Sequence, residues 1–233
     1  MQHQIPLGFH FNNEITLDSF VPGPNVQAVE ALRQWLREPS ETLIYLWGTA
    51  GVGKSHLLQA TGLGMARQDV PVALLTLREH QQYSPRILEG LEQLALVCID
   101  DIDGIIGAEE QPVWEEALFH LFNRLRENQT PLLVSASSSP AHLALQLADL
   151  RSRLGWGLTY QLRPMTDEQK ITALQQRANQ RGMELNDEVG RYLITRFSRE
   201  MPNLISLLDT LDRVSLAEQR RLTIPLVKRA ITL

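Results

Sequence analysis

The chain has 233 residues, 43% of them hydrophobic, enough for one large or two small domains with a real core, and no apolar run approaches the roughly 18 residues that span a bilayer. Net charge is −5: residues 1–159 carry ten Lys/Arg against eighteen Asp/Glu and residues 160–233 twelve against nine, so neither part has the basic footprint of an autonomous DNA-binding domain, and a protein partner or small ligand is the default expectation. Cys98 is the only cysteine, which excludes an internal disulfide and points to a reducing, cytoplasmic setting.

In chain order, residues 1–13 come first as an extended tail whose core is Gln4-Ile5-Pro6-Leu7-Gly8-Phe9. Pro6 and Gly8 exclude a helix there, and no basic segment precedes a long apolar run, so a secretory signal does not fit. Such a segment reads either as a strand docked on its own core or as a peptide for another protein. "PNVQAVEALRQWLRE" then places Val26, Val29, Leu32, Trp35 and Leu36 at helical spacing. "TLIYLW" is a short buried strand, followed by a glycine-rich turn and the helix "KSHLLQATGLGMARQ". "VALLTL", "LALVCI" and "PLLVSA" are further strand-length apolar runs, alternating with helical patterns of which "QPVWEEALFHLFNRLREN" is the clearest. Strands that are apolar on both faces, alternating with helices, predict a parallel sheet sandwiched by helices. After "LTYQLRP" the strand signals stop. "TDEQKITALQQRANQRG" opens on the N-cap Thr166 and stops at Gly182, and three more helical stretches follow. The predicted layout is an α/β nucleotide-binding domain over 14–163 and a small all-helical domain over 164–233.

"GTAGVGKS" satisfies G-x-x-x-x-G-K-[ST] between a strand and a helix, the context that identifies a phosphate-binding loop. The predicted nucleotide contacts are Gly48, Thr49, Ala50, Gly51, Val52, Gly53, Lys54, Ser55 and His56. Glycines let backbone N–H groups converge on phosphate oxygens, and the helix N-terminus adds partial positive charge. Lys54 supplies a point charge for the phosphates and Ser55 a Mg²⁺ ligand. Of three lysines in the chain, Lys54 is the only one among the first 169 residues, so a chain that otherwise uses arginine keeps a lysine at this turn. "LALVCIDDID" ends a strand in Asp100, placed as the second Mg²⁺ residue. Asp101 reads either as the carboxylate that polarises an attacking water or as a cap or loop carboxylate. Cys98, inside the strand, reads as a small core residue.

Together these motifs resemble the AAA+ ATPases with their P-loop module and helical lid, and within them the DnaA/Hda family. "TLDSFVPGPNVQAVEAL" is similar to that family's adenine-bracketing segment, and "LRSRLGWGLT" to its arginine-finger segment. The resemblance places the finger at Arg153, the sensor-1 position at Ser137 in "SASSSP", and the sensor-2 position at Pro202 in "SREMPNLISLL". Proline cannot reach a phosphate; Arg199 either substitutes for the sensor or is a surface arginine. Asp101, Ser137 and Pro202 all depart from the hydrolytic pattern, which implies intact nucleotide binding with weak intrinsic turnover. The family's DNA-binding helix-turn-helix has no counterpart in this sequence. Residues Gln4 to Phe9 resemble the peptides that dock on the bacterial sliding clamp, where glutamine supplies amide hydrogen bonds and Leu7 and Phe9 fill an apolar pocket. The resemblance therefore implies a negative regulator of replication initiation that binds ADP with Mg²⁺. Its implied partners are DnaA and the DNA polymerase III β sliding clamp, with DNA met indirectly through the clamp, and it would act as an activator of hydrolysis on DnaA. A helicase loader, an initiator-binding scaffold and a homo-oligomer stay open as alternatives.

Overall fold

The apolar runs pair into one five-stranded parallel sheet formed by β1 (Leu43–Trp47), β2 (Val72–Thr76), β3 (Leu96–Asp100), β4 (Leu132–Ala136) and β5 (Leu158–Gln161), in the order β2-β3-β4-β1-β5. The structure is a computed structural model, and it describes residues 15–38, 41–197, 200–218 and 222–232. Side chains on β1 to β4 alternate between two cores, as the two-residue repeat of a strand requires. Leu43, Tyr45, Ala73, Leu75, Val97, Ile99, Leu132 and Val134 face one side. There they meet Trp114, Leu118 and Leu121 of α3 (Gln111–Glu127) and Leu150 and Leu154 of α4 (Ala148–Leu154). Ile44, Leu46, Leu74, Leu96, Cys98 and Leu133 face the other side, against α1 (Val26–Arg37) and α2 (Lys54–Ala66).

Three elements differ from the sequence reading. Val26 opens α1 but is 53% exposed, so the buried stripe of that helix begins at Ala28 and Val29. α4 spans two helical turns, too short to carry a legible period. β5 lies at the sheet edge, paired only with β1, and is largely exposed, whereas the other strands are buried.

The chain divides into two compact units between Arg163 and Pro164. The second unit holds α5 (Asp167–Gln180), α6 (Asp187–Arg196), α7 (Met201–Glu218) and α8 (Ile224–Thr232) around Leu174, Leu193, Leu204, Leu208 and Val227. α5 opens with a reciprocal cap: Thr166 Oγ1 accepts from Gln169 N at 3.3 Å, and Gln169 Oε1 accepts from Thr166 N at 2.9 Å. Asn186 caps α6 by accepting from Val189 N at 2.9 Å. Among the described residues, no helix is long and apolar enough to cross a membrane.

Candidate functional site

Parallel strands carry the C-terminal ends of β1, β3 and β4 to one edge of the sheet, and the predicted nucleotide residues gather there. Gly48 N donates to Ala136 O of β4 at 3.3 Å as the chain leaves β1. A side chain at Gly48 would put its Cβ 2.5 Å from Leu162 O. Gly53 has φ 99°, and a Cβ there would meet Phe20 Cε2 at 2.5 Å, so the turn into α2 requires glycine twice over. No side chain caps α2 at Gly53, which leaves its first-turn N–H groups for an anion.

Lys54 is 7% exposed, and its Nζ donates to Gly48 O at 2.8 Å and Thr49 O at 3.2 Å. Among the described residues no carboxylate pairs with it. A buried ammonium bonded to neutral carbonyls, with no carboxylate in contact, is under-compensated. An anionic phosphate supplies the counter-charge, so the donor set fits a nucleoside polyphosphate. Ser55 follows in the first turn of α2. His56 turns the other way: its Nε2 lies 3.3 Å from Ser19 Oγ and 3.2 Å from Thr16 O, and its ring packs 5.4 Å from Phe20. It fastens residues 16–20 over the start of α2. That segment is continuous with Asn25, which is 6% exposed and clasps the backbone of Arg163, donating to its O at 3.0 Å and accepting from its N at 2.7 Å.

Asp100 is 8% exposed and accepts a hydrogen bond from Ser135 Oγ, and the same Oγ accepts from Asp101 N at 2.9 Å. Ser135 thus orients the predicted Mg²⁺ carboxylate and the residue after it. Asp101 sits in the left-handed region at φ 49°, makes no side-chain cap bond, and pairs with Arg78 at 2.8 Å. Burial, followed by the charge of Asp100, raises its carboxyl above the usual range, with Arg78 and Lys54 pulling the other way. Ser137, the predicted sensor, is exposed, and Asp103 accepts from both its N, at 3.0 Å, and its hydroxyl. Cys98 is wholly buried, and burial pushes its thiol well above the ordinary range, the state of an inert core residue. Pro202 falls in the first turn of α7, where its missing N–H costs nothing. Gln4 to Phe9 and Arg199 lie outside the described residues.

The predicted finger belongs to a second cluster. Arg153, next to last in α4, sits half-buried with its guanidinium carbon 4.2 Å from the ring centre of Phe119 and 5.7 Å from that of Trp156. Trp156 is 56% exposed and also carries Arg126 at 4.8 Å. Among the described residues Arg153 has no carboxylate partner. Arg151 instead turns back to donate to Leu145 O at 3.5 Å. Sequence reasoning missed Ser135, Arg78 and Phe119. Ser135 carried a signal, because a serine within the apolar run "PLLVSA" needs a hydrogen-bond partner once buried. Arg78 and Phe119 carried none.

The family model for the bacterial DnaA ATPase domain matches residues 11–161, and the model described as the Hda lid domain matches residues 167–231. An uncharacterized protein of Haemophilus influenzae is 43% identical over 234 residues, covering 100% of both chains. Domain III of the replication initiation protein DnaA from Thermotoga maritima superposes with a TM-score of 0.74 at 20% identity, covering 96% of this chain and 98% of that one. AMPPCP-bound DnaA from Aquifex aeolicus superposes with a TM-score of 0.72 at 23% identity, covering 86% of this chain and 67% of that one.

Proposed function

The chain is an Hda-like member of the DnaA family of AAA+ proteins, a DnaA-related regulator of replication initiation, and on that premise we propose that it restrains initiation by stimulating hydrolysis of ATP on DnaA in trans through Arg153. One observation carries the reading: a half-buried arginine in a short helix, stacked on Phe119 and free of any carboxylate partner among the described residues, beside a largely exposed tryptophan. A planar cation held by its faces keeps its N–H edge available for phosphate oxygens. Delivered to a neighbouring nucleotide, it neutralises charge as the phosphoryl group leaves, an effect worth about 10³–10⁵ in rate.

In this reading the chain's own nucleotide is a structural ligand. Lys54 and the α2 N-terminus bind its phosphates, and Ser55 and Asp100 hold Mg²⁺. A bound Mg²⁺–nucleotide brings the counter-charge for Lys54 and a phosphoanhydride. The residues here favour holding it over breaking it, because Asp101 is tied to Arg78 and Ser137 to Asp103. ADP is the expected occupant, and intrinsic turnover is expected well below ~1 s⁻¹, the low end of ordinary enzyme rates. Residues Gln4 to Phe9 would tether the protein to the sliding clamp.

The test is single-turnover hydrolysis of ATP preloaded on DnaA, with this protein and with clamp loaded on DNA. Wild type should accelerate it, whereas Arg153→Ala should lose nearly all stimulation and Arg153→Lys almost as much, because lysine lacks the planar fork. Stimulation retained by Arg153→Ala but lost by Arg151→Ala would move the finger by two residues. No stimulation by wild type would leave a scaffold, and fast turnover by this protein alone would favour a loader-type motor.

A further inference from the structure

α4 has no cap of its own, because Leu147 precedes it and offers no acceptor. The two successive amides just before it, those of Gln146 and Leu147, are met from α3. Glu115 is 1% exposed and accepts from Gln146 N at 3.0 Å through Oε1 and from Leu147 N at 2.6 Å through Oε2. Gln111, one helical turn earlier and 4% exposed, donates to that Oε1 at 2.7 Å and to Ala144 O at 3.2 Å, and accepts from Gly107 N at 2.7 Å. One face of α3 therefore staples two loops. The first runs on from Asp100 and Asp101 to Gly107; the second leads into α4 and Arg153.

A buried carboxylate is costly to desolvate, and an apolar side chain fills such a space at no greater cost. What a carboxylate adds is two fixed acceptors for two successive backbone amides. We propose that Glu115 is a positioning residue for the finger helix, fixing where α4 begins, and that Gln111 ties that helix to the loop following the strand that bears Asp100. For its effect on activity this rests on the finger reading of Arg153. The hydrogen bonds form one contiguous network from Gly107, at the end of the loop that follows Asp100 and Asp101, to the residues that lead into α4.

The test combines hydrogen exchange with the DnaA hydrolysis assay, using the full chain. In Glu115→Gln the side chain keeps one acceptor and turns an NH₂ toward a backbone N–H. Exchange at Gln146 and Leu147 should quicken by about tenfold or more, since the opening that exposes those amides loses its restraint. The maximal rate of stimulated hydrolysis should fall by a similar factor, with the half-effective concentration and ADP affinity within about twofold of wild type. Gln111→Ala should give the same pattern more weakly, and it serves as the deciding variant if Glu115→Gln does not fold. Wild-type exchange in both variants, or faster exchange with undiminished maximal stimulation, overturns the proposal. Should Arg153→Ala stimulate normally, the finger reading fails by itself, and the exchange rates alone decide whether Glu115 holds α4.

Discussion

Lys54 and Asp101 bear opposite charges at the same edge of the sheet, and each has a testable consequence. Lys54 is buried with carbonyls as its hydrogen-bond partners, so a bound phosphate gains a cation that no carboxylate contacts among the described residues. Lys54→Ala should lower ADP affinity at least about tenfold, about 1.4 kcal/mol, in calorimetry; unchanged affinity would reduce the loop to a structural turn. Asp101 behaves differently. Its folded-state carboxyl is raised above the ordinary value, chiefly by burial. Its contribution to stability is therefore fully present below the unfolded value of about 3.9 and lost as pH rises through the folded one. Asp101→Asn removes that loss, so at pH 7 the variant should match or exceed wild type in urea unfolding, converging at acid pH. The Arg78 pair does not reverse the sign, because Arg78 is 75% exposed and such pairs are worth at most about 1 kcal/mol. A clear loss of stability at pH 7 would show that the pair outweighs burial.

At the scale of elements, caps matter more than composition. α5 carries a complete Thr166–Gln169 box, and its buried residues Ile171, Leu174 and Ala178 fall on one face, packed into the helical unit's core. Thr166→Ala should destabilise the helical unit by about 1 kcal/mol, seen as faster hydrogen exchange across 167–180 with exchange in the sheet unchanged. α4 is the opposite case, a short helix with no local side-chain cap, whose two preceding residues are held by Glu115 of α3. That difference explains why "TDEQKITALQQRANQRG" was legible in the sequence and the finger helix was not. A local cap is written in adjacent residues, whereas a remote one is written in a helix more than thirty residues away.

For the whole molecule, the relation between the N-terminal tail and the nucleotide unit is the point to test. If residues Gln4 to Phe9 bind the clamp as an extended peptide, so small an interface should reach about micromolar affinity, near −8 kcal/mol. Replacing Leu7 and Phe9 together by alanine should abolish clamp binding in surface plasmon resonance and leave ADP binding intact. If protection measurements instead found residues 4–9 covered by the protein's own fold at all times, the docked-strand alternative would hold.

The sequence by itself determined what neighbouring residues determine. The strand–turn–helix context of "GTAGVGKS", the apolar runs of the sheet, the strand ending in Asp100, the core identity of Cys98 and the Thr166 start were all readable, because each depends on residues within about one element of one another. Only the tertiary structure decided which partners those residues meet. Ser135 reaches Asp100 because β3 and β4 lie side by side in register. Arg78 reaches Asp101 from the end of the neighbouring strand, Arg153 lies on Phe119 where α4 crosses α3, and Asn25 closes on Arg163 across 138 residues of chain. Local pattern sets an element's period and buried face, but the pairing of distant side chains follows from sheet order and register, which no short window of sequence encodes.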